Sequence, residues 1–211
     1  MKVALFSESE ADDAALRVFV EAILGEPIEP VPHVGLRTRG WPSVRNILEV
    51  VLKQLHYHRE AEGFVMIVDS NGTPPHVREH EGPNPPKTLC RLCRLRAIRD
   101  EVFKHARPRL HRAPLKTAMG LAVPAIEAWL LCGQDHGVNE AVWKNGLAAG
   151  HPPYSTRELK TKLYGTDRPS LALESRRMTE AARGLANQLA HVERCFPDGF
   201  GGFAQELRLW H

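Results

Sequence analysis

Two short apolar runs, each followed at once by acidic or polar residues, constrain the fold of this chain more than any other feature. Residues 2–7 and 64–68 are apolar almost throughout, which is typical of strands buried in a parallel sheet. The first run leads into Glu8 and the second into Asp69. Open α/β sheets bind ligands beyond the carboxyl ends of their strands, so these two acids are candidate site residues.

Helical periodicity fills the intervals between the predicted strands. Residues 11–24 carry apolar side chains at helical spacing, with acids in the first turn where the helix dipole favours them, and Gly25 ends the helix. The other predicted elements are a short strand near 31–36, a helix capped by Ser43, a helix over 87–106, a strand over 115–122, a helix opened by Pro124 and a long helix over 171–195. This order predicts an α/β fold with a mostly parallel sheet flanked by helices.

Proline and glycine are concentrated in residues 70–86, so we expect no regular element there. A loop of this length inside a compact domain is usually functional or disordered. Because it begins directly after Asp69, we expect it to border the site. We expect residues 1–133 to form the α/β domain and residues 134–211 to form a helical C-terminal extension packed on it.

Composition argues against several classes of protein. A hydrophobic content of 43% in 211 residues is ample for a core, while no apolar run is long enough to span a membrane. The first residues lack the long apolar stretch of a signal peptide. Four cysteines are few for a disulfide scaffold, so we expect a cytoplasmic protein with reduced thiols and no membrane partner.

A basic block occupies residues 87–112, where nine lysines and arginines stand against two acids. A block of this kind on an otherwise mildly acidic chain indicates a polyanion partner, and we expect DNA or RNA. The simpler interpretation is a solvated helix face that aids solubility. The candidate nucleic-acid-binding residues are Lys87, Arg91, Arg94, Arg96 and Arg99.

Carboxylates from remote parts of the chain are the candidate metal ligands. Gathered at one sheet edge, Glu8, Asp69 and Glu127 would offer the oxygen ligands that a hard divalent cation prefers. Several of the candidate residues also have a simpler interpretation. Glu8 would be only the exposed end of a strand, and Glu127 the partner of an arginine. Asp12 would be only a first-turn acid, and Asn71 begins an Asn-Gly dipeptide that favours turns.

These segments resemble the motifs of the TOPRIM fold, which topoisomerases, primases and overcoming-lysogenization-defect nucleases share. Glu8 and Asp12 have the spacing of its first motif, a glutamate followed four residues later by an acid. Asp69 and Asn71 are similar to its second motif, Asp-x-Asp at the end of a strand. Residues 122–131, Ala-Val-Pro-Ala-Ile-Glu-Ala-Trp-Leu-Leu, resemble the Glu-Ala-Trp-Leu-Leu helix of small uncharacterised prokaryotic TOPRIM-like proteins.

The resemblance implies a TOPRIM/Rossmann-like sheet and metal-assisted cleavage or transfer of phosphodiesters. The residues that it implies as ligands of Mg²⁺ or Mn²⁺ are Glu8, Asp12, Asp69, Asn71 and Glu127. Such a metal polarises a phosphoryl oxygen and lowers the pKa of an attacking water. Glu127 would complete a second metal site or act as a general base, and Lys116 would neutralise charge on the phosphate. The implied catalytic residues are therefore Glu8, Asp69, Glu127 and Lys116.

Two positions depart from the family's pattern. Ser9 stands where the first motif usually has glycine, and Asn71 replaces the last acid of the second motif, which removes one charge from the metal site. We therefore carry two hypotheses. One is a divalent-metal-dependent nuclease or related phosphotransfer enzyme, acting in phage defence or repair beside a partner protein encoded nearby. The other is a catalytically decayed nucleic-acid-binding or interaction module on the same fold.

The pair Cys90-x-x-Cys93 suggests a different metal. With His76, His80 or His105 it would bind zinc. A single Cys-x-x-Cys without a second pair is a weak signal, and the same spacing places both thiols on one face of an amphipathic helix. The sequence alone therefore favours an amphipathic helix over a zinc site.

Overall fold

The computed structural model describes residues 1–32, 40–58, 60–82, 90–109 and 112–211. Within them, a four-stranded sheet has the order β2-β1-β3-β4, and every neighbouring pair is parallel. The predicted α/β fold with a mostly parallel sheet is therefore confirmed. The strands are β1 (Lys2–Phe6), β2 (Glu29–Pro30), β3 (Gly63–Asp69) and β4 (Lys116–Ala122).

The register of the strands defines the edge at which a site can form. Phe6 of β1 pairs with Met66 of β3, and Asp69 at the end of β3 pairs with Ala122 at the end of β4. Every residue of β3 before Asp69 is buried, because β1 and β4 flank it and helices cover the sheet. The chain segments that leave β1, β3 and β4 therefore emerge at the same edge of the sheet.

The helices in the first part of the chain pack against different strands. α1 (Glu10–Leu24) contacts β1, α2 (Gly40–His58) contacts β3, and α3 (Arg91–His105) contacts both β4 and α2. The segment predicted to be irregular contains a 3₁₀ turn at Arg78–Glu81, so that prediction was wrong for these residues. The strand expected near 31–36 is not found at residues 31–32, because β2 ends at Pro30, and residues 33–39 lie outside the described part of the chain.

The C-terminal region is helical, as predicted. The helix predicted over 171–195 is divided by a 3₁₀ turn at Ala186–Gln188. The prediction that Pro124 opens a helix was wrong, because the helix begins two residues later at Ile126. The helices are α4 (Ile126–Leu130), α5 (Glu140–Ala148), α6 (Thr156–Tyr164), α7 (Leu171–Leu185), α8 (Leu189–Cys195) and α9 (Gly202–Arg208).

An aromatic cluster joins this region to the sheet. The rings of Trp129 and Phe200 meet edge to face with their centroids 5.2 Å apart, and both side chains are fully buried. α9 packs against β4 at Gly120. The close approach requires glycine there, because a Cβ at this position would lie only 2.9 Å from the Cβ of Phe203. α7 lies along α1. The C-terminal helices therefore share one hydrophobic core with the sheet.

None of the described helices is both long and apolar enough to cross a membrane. The cysteines Cys90, Cys93, Cys132 and Cys195 are all free thiols. Any contribution of these side chains to stability therefore comes from packing or from a ligand, and not from a disulfide.

Candidate functional site

The first candidate acid follows β1 directly. Glu8 is 13% exposed, and its Oε1 accepts a hydrogen bond from the backbone N–H of Asp69 at 3.1 Å. The same oxygen lies 3.4 Å from Nη1 of Arg91, whose guanidinium lies over the ring of Trp41, 4.9 Å from its centroid. These contacts bring the ends of β1 and β3 to the first turn of α3.

Ser9 and Asp12 form the N-terminus of α1. The Ser9 hydroxyl accepts a hydrogen bond from the backbone N–H of Asp12 at 3.1 Å, which is a typical helix N-cap. The φ angle of Ser9 is −151°, an extended conformation that needs no glycine. The departure from the usual glycine therefore leaves the turn intact, and Asp12 lies in the first turn of α1.

Asp69 and Glu127 meet where β3 faces the start of α4. Asp69 Oδ1 accepts a hydrogen bond from the backbone N–H of Ile126 at 3.0 Å. The next residue, Glu127, is only 4% exposed. Its Oε1 accepts a hydrogen bond from the Tyr164 hydroxyl at 3.2 Å and lies 3.6 Å from Nζ of Lys160. Helix α6 therefore holds Glu127 beside the sheet edge.

The acids line one cavity of about 260 Å³. Its lining is strongly acidic, so it fits a cation, and it admits a phosphate only together with a counter-charge. Asn71, Tyr164 and Met178 also contribute to its wall. The charged residues of the lining are Glu8, Asp12, Asp69, Glu127, Lys160 and Glu174.

Burial and mutual repulsion raise the pKa values of Glu8, Asp12 and Asp69. The pKa of Asp12 is raised to about 8, first by burial and then by the charge of Glu127. Burial, followed by the charges of Glu127, Asp12 and Glu8, holds the pKa of Asp69 well above its usual value. Burial also raises the pKa of Glu8, although the Asp69 N–H and Arg91 oppose it. A cation entering the cavity would therefore displace protons.

Asn71 lies in a turn at the mouth of the cavity. Its φ angle is 43°, and Gly72 follows with a φ of 79°, left-handed values that asparagine and glycine adopt readily. The Asn71 backbone N–H donates to the carbonyl of Pro124 at 3.0 Å. Asn71 therefore forms a turn, as the Asn-Gly dipeptide suggested, and also contributes to the wall of the cavity.

The four predicted carboxylates are brought together without forming a closed metal cage. Among the described residues, the sets of three or more possible ligands with donor atoms within 4.8 Å of one another contain cysteine and histidine only. The first set comprises His76, His80, Cys90 and Cys93, and the second comprises Cys132, His191 and Cys195. The carboxylate oxygens of the acidic cavity are therefore spaced more widely than the donor atoms of these two cysteine–histidine groups.

Lys116 lies far from this cavity, which corrects the role predicted for it. It begins β4 and pairs with Gly63, whereas Asp69 pairs with Ala122 at the other end. Six residue steps along the strand separate the two pairs, or about 20 Å at the rise of an extended strand. The Lys116 ammonium instead donates to the carbonyl of Trp210. The prediction failed because the residue lies on the right strand but at its amino end.

The basic helix presents little free charge. Arg91 is 12% exposed and donates to the carbonyl of Asp69 at 2.7 Å, so it contacts two residues of the acidic cavity, Asp69 and Glu8. Arg96 bridges Glu81 and Glu206. Arg91 and Arg96 are therefore engaged inside the molecule and are not presented to a polyanion. Arg99 pairs with Asp100 at 2.8 Å, Arg94 is exposed, and Lys87 lies outside the described residues.

Sequence reasoning missed the contribution of the C-terminal helices to the cavity. Lys160 and Tyr164 lie four residues apart on α6 and both contact Glu127, while Glu174 of α7 lies 3.1 Å from the Lys160 ammonium. The available signal was the sequence Ser155-x-x-Glu158, which forms a capping box and marks the start of α6. Nothing in the sequence pattern shows that this helix lies against Glu127.

Comparison of the chain with protein-family models, with curated proteins and with solved structures finds no match.

Proposed function

We propose that this protein is a divalent-metal-dependent nuclease, or a related phosphotransfer enzyme, that acts on the phosphodiesters of DNA or RNA. The single observation that carries the proposal is the cavity at the sheet edge, where Glu8, Asp12, Asp69 and Glu127 meet from distant parts of the chain. The TOPRIM-like spacing of these residues supports the same reaction class. The location of the cavity at the carboxyl ends of parallel strands agrees with the general rule for open α/β sheets.

The donor set fits Mg²⁺ or Mn²⁺. These hard cations prefer oxygen ligands in proteins. The pKa of Asp69 is raised because its carboxylate is buried and is repelled by the neighbouring carboxylates. The residues that would hold the cation are Glu8, Asp12, Asp69 and Glu127, with the Asn71 amide at the mouth. When bound, the cation supplies charge neutralisation at the phosphoryl oxygen and an activated water.

The chain's own cations have separate roles. Lys160 is 35% exposed beside Glu127, so its ammonium is accessible from the cavity and neutralises charge on a bound phosphate. Arg91 fixes Glu8, and the Tyr164 hydroxyl fixes Glu127. These contacts hold the carboxylates in place before substrate arrives, which is the structural requirement for electrostatic catalysis.

Metal titration and cleavage assays test the proposal. Calorimetry with Mn²⁺ should show one saturable binding event in the wild-type protein, and plasmid DNA or RNA should be cleaved in millimolar Mn²⁺. Asp69→Asn should weaken metal binding and lower the cleavage rate on the order of 100-fold. Glu10→Gln is the matched control, because Glu10 is an exposed acid in the same turn as Asp12.

Two results would overturn the proposal. One is the absence of binding heat with survival of both nucleic acids, and the other is equal cleavage by wild type and Asp69→Asn. Binding of DNA or RNA without metal dependence would favour the second candidate, a catalytically decayed nucleic-acid-binding module. The neutral Asn71 and the open spacing of the carboxylates are the observations that favour that candidate.

A further inference from the structure

Two histidines and two cysteines outside the acidic cavity converge on one point. His76 and His80 lie in the segment after β3, and Cys90 and Cys93 lie at the start of α3. One donor atom from each of the four lies within 4.8 Å of the others. His76 and Cys90 are buried, and His80 and Cys93 are half-buried.

We propose that His76, His80, Cys90 and Cys93 bind one structural zinc ion through two sulfurs and two imidazole nitrogens. This site is separate from the acidic cavity and stands independently of the function proposed above. Cys₂His₂ is a common ligand set of structural zinc, and all four positions are filled by protein.

The distances between the donor atoms match a tetrahedral site. Cys90 Sγ lies 3.5 Å from Cys93 Sγ and 3.4 Å from His76 Nδ1. Cys93 Sγ lies 3.5 Å from His76 Nδ1 and 3.6 Å from His80 Nδ1. Tetrahedral zinc with ordinary bond lengths separates two sulfurs by about 3.8 Å and a sulfur from a nitrogen by about 3.6 Å. These four separations therefore match those of a loaded site, and the remaining two, Cys90 to His80 and His76 to His80, are within 4.8 Å.

The outer contacts of the cluster also suit a metal. His76 Nδ1 faces the sulfurs, while its Nε2 lies 3.0 Å from Oε1 of Glu81. Zinc-binding histidines usually donate their second ring N–H to a carboxylate in this way, which fixes the ring and raises its basicity. Arg96 holds the same Glu81 oxygen at 2.6 Å. Both ring nitrogens of His76 thus have a partner, and together the two contacts fix the orientation of the ring.

A disulfide accounts for these contacts less well. A disulfide needs the two sulfurs about 2.05 Å apart, and Cys90 and Cys93 are free thiols. It would also leave two imidazoles aimed at the same point without a reason. Magnesium and calcium prefer oxygen ligands, so thiolates and imidazoles favour zinc over the cations proposed for the acidic cavity.

The predicted zinc would connect the segment after β3 to α3. Arg91 lies between the two cysteines and donates to the carbonyl of Asp69. Fixing the first turn of α3 therefore fixes the guanidinium that contacts Glu8 and Asp69 of the acidic cavity. Zinc binds cysteine as the thiolate, so protons compete with the metal and zinc affinity falls with decreasing pH.

Zinc content is the direct test. Protein purified without chelator should carry about one zinc per chain, and Cys90→Ser with Cys93→Ser should reduce this at least tenfold. His105→Gln is the matched control, because His105 is an exposed histidine at the end of the same helix and belongs to neither group of possible ligands, and this substitution should leave the zinc content unchanged. Zinc that persists in the double variant, or a wild-type chain that binds no added Zn²⁺, would overturn the proposal.

A second measurement on the wild-type chain covers the case in which the double variant fails to fold. Protein stripped of metal is reloaded with Zn²⁺, and each cysteine is scored for alkylation by peptide mass spectrometry. Zn²⁺ should protect Cys90 and Cys93 together and should raise the melting temperature by roughly 10 °C. Equal alkylation of Cys90 and Cys93 with and without Zn²⁺ would rule the site out.

Discussion

The guanidinium of Arg91 donates a hydrogen bond to the backbone carbonyl of Asp69 at 2.7 Å. This contact ties the first turn of α3 to the end of the central strand β3. The same guanidinium lies 3.4 Å from Glu8 and over the ring of Trp41. Arg91 therefore joins three segments around the acidic cavity, although its sequence position suggested a role in binding nucleic acid.

Replacing Arg91 with methionine should destabilise the fold by about 1–3 kcal/mol. The substitution keeps an unbranched apolar stem but removes the donor to Asp69, the partner of Glu8 and the cation over Trp41. Denaturant unfolding measures the change. Arg94→Met on the exposed side of α3 is the control, and it should stay within about 0.5 kcal/mol of wild type. Equal effects of the two substitutions would contradict the structural role of Arg91.

Much of the fold could be predicted from the sequence because its central strands are unusually apolar. The run ending at Val68 has no polar residue to place on a solvent face, so a strand covered on both faces is the consistent solution. Helix α1 was predictable for a similar reason, because an apolar stripe ends at Gly25. The start of α3 was not, since proline density before Cys90 gave no sign of where its cap would lie.

The site was predictable only where it follows strand ends. Glu8 and Asp69 could be placed at one edge because parallel strands all end there. Lys160 and Tyr164 could not, because the position of α6 depends on how the C-terminal helices pack across the core. His76 and His80 were possible partners of Cys90 and Cys93 in the sequence, but they lie in a proline-rich segment without helix or strand periodicity, so the pattern could not show that their side chains face the two cysteines.

The contribution of Asp12 to the stability of the protein without added Mg²⁺ or Mn²⁺ should fall as the pH rises from about 4 to about 8. The pKa of Asp12 is about 8 in the folded chain and about 4 in an unfolded chain. The folded state thus keeps a proton on Asp12 that the unfolded state has released, so this contribution is greatest below about pH 4 and declines up to about pH 8. Melting temperatures measured across this pH range report how steeply the stability changes with pH.

Replacing Asp12 with asparagine should flatten that slope. The amide keeps the shape of the side chain but has no proton to lose, so at pH 8 it should be more stable than wild type by on the order of 1–2 kcal/mol. Glu10→Gln removes a carboxylate from the same turn at an exposed position and should leave the slope unchanged. Identical slopes for wild type and Asp12→Asn would show that Asp12 is not protonated near neutral pH.

Replacing Lys160 with methionine should affect metal binding and catalysis in opposite directions. Loss of the ammonium 3.6 Å from Glu127 makes the cavity more negative, so Mn²⁺ should bind about 10-fold more tightly. Cleavage should fall because the charge on the phosphate loses its neutralising partner. Lys162→Met is the control, because Lys162 pairs with Asp135 away from the cavity. An unfolded variant would lose both metal binding and cleavage. Calorimetry and cleavage rates together therefore distinguish loss of the Lys160 charge from loss of the fold.

Two glycines on facing elements test the packing of α9 against the sheet. A Cβ at Gly120 would lie 2.5 Å from Cδ1 of Ile67 and 2.9 Å from the Cβ of Phe203. Gly120→Ala should therefore cost about 1–3 kcal/mol through overpacking. Gly202, at the start of α9, has a helical φ of −60°, and a Cβ there would meet no atom of another element within 4 Å. Gly202→Ala should stabilise the chain by about 0.4–1 kcal/mol, because it restricts the unfolded state without strain. A Gly120→Ala variant as stable as wild type would mean that α9 does not lie against β4 in solution.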